Sequence, residues 1–384
     1  MIPLAARAAR RLPPIALAAL ALLLAPRPAA ASIPYAPVLA RCYAAILDAR
    51  FNEAEAEIAK ACGPAPAETC QLMRVNSLWW QIELNPNDRS KDGLFQSRID
   101  AAVGAMERWT AREPKRADAW FFLGAAYGLR VQFLVLRGER LAAARDGKRI
   151  KDALERAIAL DPTMQDAYFG IGLYHYYAGI APAIVKFLAW LMALPGGNRE
   201  QGLAEMWRAR DRGQLLRGEA DYQLALIDLW YEHKPDEALK LLEGLHASYP
   251  HNPIFLQSIA DVQDVYRHDH AASLAAWREL DALARAGRVA APEMSEVRAR
   301  LGMATELTAL GRPDEAIDDL REVVAGRPSA PYGATALAWL ELGAAYDRKG
   351  LRDRARSAYQ AAIAAAPPDD PDHVRERARA AMRH

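Results

Sequence analysis

The stretch Trp339-Leu340-Glu341-Leu342-Gly343-Ala344-Ala345-Tyr346, continued through Gly350, Ala355, Tyr359, Ala362 and Pro367, decides how this 384-residue chain folds. Trp339, Leu342, Gly343, Tyr346, Gly350, Ala355, Tyr359, Ala362 and Pro367 stand at successive spacings of 3, 1, 3, 4, 5, 4, 3 and 5. Steps of three and four keep residues on one helix face, so the pattern predicts two helices joined by a turn at Gly350. Small residues such as Gly343, Ala355 and Ala362 let the two helices approach closely, because a larger side chain would wedge them apart. Large ones, Trp339 and Tyr346, fill the space between neighbouring hairpins. Pro367 cannot continue the second helix and opens the next turn.

The opening quartet returns as Trp120, Leu123, Gly124 and Tyr127, and more loosely as Tyr168, Ile171, Gly172 and His175. Second-helix starts recur as Arg50-Phe51-Asn52-Glu53-Ala54, Lys234-Pro235-Asp236-Glu237-Ala238 and Gly311-Arg312-Pro313-Asp314-Glu315-Ala316. An acid or Asn there caps a helix and complements its dipole. Unit-closing prolines stand at Pro66, Pro114, Pro162, Pro250, Pro328 and Pro367. The first three are 48 residues apart and the last two 39. The first half therefore carries insertions of about 14 residues per unit relative to a 34-residue repeat, around Asn85 to Gly93 and Val131 to Lys148. We expect an all-α, right-handed superhelical solenoid of seven or eight helix-turn-helix units. Its least regular unit runs from Pro253 to Leu280, a wider connection spans Asp281 to Pro292, and a charged closing helix lies between Pro371 and His384. A 48-residue unit also suits HEAT-like or armadillo-like arrays, but the full signatures at Trp120 and Trp339 decide against them.

Residues 1–31 stand apart. Arg7, Arg10 and Arg11 precede the apolar stretch Ile15 to Leu24 and then Ala29-Ala30-Ala31, the pattern of a signal peptide cleaved after Ala31. Without its four arginines the formal net charge of +1 becomes −3, which lacks the basic footprint of a nucleic-acid binder. The expected domains are thus the leader 1–31, a helical array 32–280 with extended units and inserted helices, and C-terminal units with a cap, 281–384. Export to the periplasm or envelope permits a disulfide among Cys42, Cys62 and Cys70. Cys62 and Cys70 flank a Gly-Pro-Ala-Pro turn and form the favoured pair; Cys42 with Cys62 is the competitor.

The repeat resembles the tetratricopeptide (TPR) superfamily over residues 35 to 370. A narrower likeness lies in Gly170-Ile171-Gly172-Leu173-Tyr174 and Gly196-Gly197-Asn198-Arg199-Glu200-Gln201-Gly202-Leu203, which looks like a motif of bacterial exported TPR proteins. That motif is also similar to one in the TPR family of inclusion-body clearance proteins. Both imply a scaffold with no catalytic residues to carry over. Some TPR domains grip a carboxylate tail with Lys and Asn on the groove face of first helices. The matching pairs here, Met73/Ser77, Phe121/Ala125, Phe169/Leu173, Gln223/Ile227, Gln257/Asp261 and Leu340/Ala344, hold neither residue. Instead Phe121, Phe169, Tyr176, Tyr177, Trp230 and Tyr231 fall at or next to the positions that line the concave surface in TPR folds. Aromatic side chains there would anchor a peptide or protein segment, since they bury large area at little entropic cost. The alternative is that they belong to the core.

Other candidates read more plainly. Residues two apart on a helix point to different faces, so His268-Asp269-His270 is placed in a turn and no metal is assigned. His175 holds a packing position, and Gly196-Gly197 reads as a turn before a helix, with an anion cradle as the alternative. No cofactor motif occurs. Ala181 to Leu194, charged only at Lys186, is too short to span a bilayer. It is expected to pack inside the solenoid or, alternatively, to touch a membrane surface. The expected function is a non-enzymatic scaffold for a protein partner; the alternatives are a peripheral membrane component and an accessory domain of an enzyme.

Overall fold

The computed structural model describes residues 33–182 and 196–383. The leader and nearly all of Ala181–Leu194 lie outside the described residues. Among these, every regular element is a helix, and consecutive helices pack as pairs. The pairs are α1 (Ala36–Leu47) with α2 (Phe51–Ala61), α3 (Ala67–Glu83) with α4 (Asp92–Arg112), and α5 (Ala117–Leu136) with α6 (Arg140–Leu160). Next come α7 (Ala167–Ile180) with α8 (Arg199–Arg212), and α9 (Arg217–Trp230) with α10 (Pro235–Ser248). Then follow α11 (Pro253–Asp261) with α12 (His270–Arg285), α13 (Pro292–Ala309) with α14 (Pro313–Gly326), and α15 (Ala334–Arg348) with α16 (Arg352–Ala365). The short α17 (Val374–Ala381) closes the series. Eight hairpins and a cap agree with the spacing of the prolines.

Local chemistry sets the boundaries. Pro235, Pro253, Pro292 and Pro313 open α10, α11, α13 and α14, where the missing N–H would lack an intrahelical partner anyway. Asp236 with Glu237 and Asp314 with Glu315 add negative charge to first turns. Within pairs the small residues admit large ones. A Cβ on Gly343 would lie 2.4 Å from Tyr359 Cε1, and one on Gly124 would lie 2.6 Å from Leu154 Cδ2. Arg321 donates to the Tyr346 hydroxyl at 3.2 Å, joining α14 to α15 as the placement of Tyr346 between hairpins requires.

No separate inserted helix stands in the long first-half units among the described residues, and the expected one, Ala181–Leu194, falls almost wholly outside them. The extra residues of these units lengthen the hairpins: α4, α5 and α6 run 21, 20 and 21 residues, against 14 in α10, α14 and α16. The Asn85–Gly93 segment is pinned by Arg137, whose guanidinium grips both Asp92 oxygens at 2.7 Å and the Pro86 carbonyl at 2.7 Å. By length and hydropathy α5 could cross a membrane, yet its Phe121, Phe122, Leu123 and Phe133 lie in the core.

The glycine motif is explained by the closest pair of helices. Extra atoms on Gly172 would meet the Gly202 carbonyl at 2.7 Å, and on Gly202 the Tyr176 amide nitrogen at 2.5 Å, so α7 and α8 touch backbone to backbone. Main chain cannot yield as a side-chain tip can. Gly202→Val is therefore expected to cost about 2 kcal/mol or more, whereas Gly244→Ala, with nothing within 4 Å of the new carbon, should be neutral or slightly stabilising. Urea unfolding of the two variants checks the contrast.

The array also curls back on itself. His251 N–H donates to Asp48 Oδ1 at 2.9 Å across 203 residues, and Asn252 Nδ2 to the Leu47 carbonyl at 2.8 Å across 205. Tyr332 N–H reaches Asn85 Oδ1 at 3.1 Å across 247 residues. Trp80 of α3 packs on Tyr222 of α9 and Phe255 of α11, at ring-centroid distances of 5.6 and 6.3 Å. One hydrophobic cluster thus runs from Ile33 to Val262 and a second from Leu256 to Ala378, the two meeting on α11.

Candidate functional site

Packing between neighbouring helices decides which aromatics face solvent. Phe121, Phe169 and Tyr176 are 2, 7 and 0 % exposed, whereas Tyr177, Trp230 and Tyr231 are 39, 56 and 45 % exposed. The first three leave the candidate surface and join the core, which corrects their assignment as partner contacts. The physical reason is packing against neighbouring helices: Tyr176 lies against Tyr231 of the next hairpin and donates to Glu232. Phe121 stacks edge-on against Phe122 at 4.9 Å, and Phe122 in turn lies against Trp109 and Tyr35. Met73, Ile227 and Leu340, also at first-helix groove positions, are buried too.

The inner side holds a polar pocket of groups among these rings. Glu219 of α9 is buried, and burial followed by the nearby Glu83 carboxylate pushes its carboxyl up to about 7. Burial raises Glu83 to about 7 as well, against the pull of Arg137. Burial and then Glu219 hold the Tyr43 hydroxyl well above its usual range, opposed by the Asn76 amide. Trp80 Nε1 is buried without a hydrogen-bond partner among the described residues. Carboxylic acids kept neutral near pH 7 suit an apolar enclosure, and no single helix face reveals this set, since it is assembled from α1, α3 and α9.

The outward aromatic face is built at the C-terminal ends of α7 and α9. Tyr177 and Tyr231 meet edge to face at 5.6 Å, and both rest on the buried Tyr176, at 5.5 and 6.1 Å. Tyr176 is fixed by donating its hydroxyl to Glu232 Oε1 at 2.6 Å, and Arg199 Nε donates to the same oxygen at 2.8 Å. Arg199 and its hydrogen bonds hold the Glu232 carboxyl below its usual value, although burial is the largest influence and acts the other way. Trp230 is the chain neighbour of Tyr231 and carries the largest exposure of the six. The result is an exposed aromatic face with Glu232 and Arg199 at its edge.

The remaining candidates are local structure. His175 Nδ1 sits 2.7 Å from Glu205 Oε2 across the α7–α8 contact. Gly197 offers no anion cradle: a Cβ there would lie 2.2 Å from the His175 carbonyl, and Asn198 itself accepts from the Gln201 N–H at 2.8 Å to cap α8. Cys62 and Cys70 are bonded across the α2–α3 turn, with Cα atoms 5.8 Å apart. Cys42 is a free thiol, buried and pushed up to about 11 by that burial, the inert kind. Trp80 escaped the sequence reading; the Trp79-Trp80 doublet was its only signal.

Residues 336–369 match the family model of the tetratricopeptide repeat. No curated protein matches the chain. Among solved structures, the Cut9–Hcn1 hetero-tetramer of the APC/C is similar with a TM-score of 0.49 and 14 % identity, over 88 % of this chain and 53 % of that one. This chain thus spans about half the length of that relative. A Rap protein complexed with Competence and Sporulation Factor gives 0.45 and 12 %, over 91 and 96 % of the two chains. Yeast Tom70 gives 0.40 and 14 %, over 90 and 81 %. The fold itself rests on the paired helices and the matched repeat, which ends the chain's hairpin series at α15 and α16.

Proposed function

We propose that this tetratricopeptide-type array is a non-enzymatic scaffold that holds a protein segment against the Tyr177, Trp230 and Tyr231 face. One observation carries the reading: Tyr177 and Tyr231 stand exposed in edge-to-face contact, with the still more exposed Trp230 next to Tyr231 in the chain and the fully buried Tyr176 beneath them. A buried tyrosine and an ion pair fix their backing, so ordering them on binding costs little entropy. Export to the periplasm or envelope forms part of the proposal, supported by the charge and hydropathy pattern of residues 1–31 and by the Cys62–Cys70 bond.

The test is affinity capture from an envelope extract with the full chain and a Tyr177→Ala/Trp230→Ala/Tyr231→Ala variant. The triple variant should keep its helical content and lose at least tenfold in recovered partner, as expected when an aromatic anchor worth 2 kcal/mol or more (about) is removed. Equal recovery by both proteins would refute the face, and recovery of nothing by the parent chain would refute the scaffold.

A further inference from the structure

Asp264, His270 and Glu306 converge where the array is least regular. After α11 the helix widens into a π turn, Val262–Tyr266, in which Arg267 N–H donates to the Val262 carbonyl at 3.1 Å. Such an extra residue re-aims the side chains that follow. Asp264 lies on this turn, His270 begins α12, and Glu306 comes from the next hairpin on α13. His270 Nδ1 stands 3.1 Å from Asp264 Oδ1 and 2.8 Å from Glu306 Oε2, and the three donor atoms all lie within 4.8 Å of one another. His270 Nδ1 is thus in contact with both carboxylates, near enough that a small rearrangement would bring all three donor atoms to about 2.1 Å from one ion.

Three further features fit a cation. Glu306 is 2 % exposed, a carboxylate removed from water, and such a charge needs a counter-ion. Ser273 Oγ donates to the other Glu306 oxygen at 3.0 Å, orienting the carboxylate from behind as an outer-shell partner would. Asp264 and His270 remain about one-third exposed, leaving an entry path and room for water ligands.

We propose that Asp264 Oδ1, His270 Nδ1 and Glu306 Oε2 bind one divalent transition-metal ion of the zinc class, clamping the π turn to α12 and α13. One imidazole with two carboxylates favours zinc over magnesium or calcium, which prefer all-oxygen shells. The site is independent of the aromatic face, and its metal occupancy can be measured without any partner.

The full chain, stripped with EDTA and dialysed, is titrated with zinc chloride by calorimetry and followed by thermal melting. The expected result is one equivalent bound with a dissociation constant in the micromolar range or tighter, a melting temperature raised by several degrees, and at least tenfold weaker binding of Mg2+. Asp264→Asn and His270→Ala should each weaken zinc binding at least tenfold while circular dichroism shows the parent helix content. Glu306→Gln should do the same, and if its burial prevents folding the other two variants decide. No stoichiometric binding, unchanged affinity in Asp264→Asn and His270→Ala, or equal affinity for Mg2+ would overturn the site and leave a metal-free ion-pair cluster.

Discussion

Truncating Trp80 to alanine should destabilise the protein by about 3–5 kcal/mol, the range for removing a buried aromatic side chain that leaves a cavity. Trp80 is 2 % exposed and lies between Tyr222 and Phe255, which belong to hairpins far along the chain. Tyr222 and Phe255 also contact each other at 5.8 Å, and Tyr249 joins Phe255 at 6.2 Å, so the indole is one wall of a four-ring cluster that closes the curl. Its Nε1 has no acceptor among the described residues, so the loss is one of packing. Urea unfolding gives the energy, and small-angle scattering should show a larger radius of gyration as the first hairpins loosen from α9 and α11. Trp230→Ala, an exposed tryptophan, should stay within about 0.5 kcal/mol of the parent. Equal effects at the two positions would show that the ring cluster does not hold the closure.

The second large effect is on pH dependence. Glu219 and Glu83 have carboxyls raised to about 7 by burial. A raised carboxyl means that the folded chain binds its proton more tightly than the unfolded chain does. The resulting stability is full below the unfolded value of about 4.5 and is lost as pH rises through about 7. Asp228 and Asp261, each raised to about 6 by burial, act in the same direction. Glu315, held below its usual value by Arg312, acts in the opposite direction at lower pH, but it is a surface group and weak. Stability should therefore fall between pH 5 and pH 8. Glu219→Gln removes a buried acid that must ionise at high pH, and should be the more stable protein at pH 8 by on the order of 3 kcal/mol, at 1.36 kcal/mol per unit. Thermal melts of both proteins at pH 5 and pH 8 check this. A parent melting temperature that is flat or rising over that interval would contradict it.

The hairpin was legible because its determinants are local. Gly343 and Tyr359, or Gly124 and Leu154, meet within one unit, so their spacing along the chain encodes the contact. The proline spacing gave the surplus length of the early units, though a spacing cannot distinguish an inserted helix from two longer ones such as α5 and α6. The candidate surface was only half legible. Periodicity places Phe121, Phe169 and Tyr176 on a helix face, but whether that face is open or packed depends on the neighbouring hairpins, such as Tyr231 and Glu232 over Tyr176. Trp80 against Phe255, or Asp48 against His251, is a pairing that no local pattern reports. The same holds for Asp264 and Glu306: His270 was visible in its His-Asp-His run, while its two acidic neighbours arrive from a widened turn and a separate hairpin.

In an open solenoid each unit touches only its neighbours, so ends can be trimmed and units form one after another. Here the tie from Asp48 to His251 imposes an order in time. A ribosome, or a translocation channel delivering the chain from its amino end, releases Asp48 and Trp80 long before their distant partners exist. For about 200 residues of synthesis, tens of seconds at the slower elongation rates, that apolar flank has nothing of its own to rest on. The same tie binds the first hairpins to the middle of the chain, so the two are expected to unfold together.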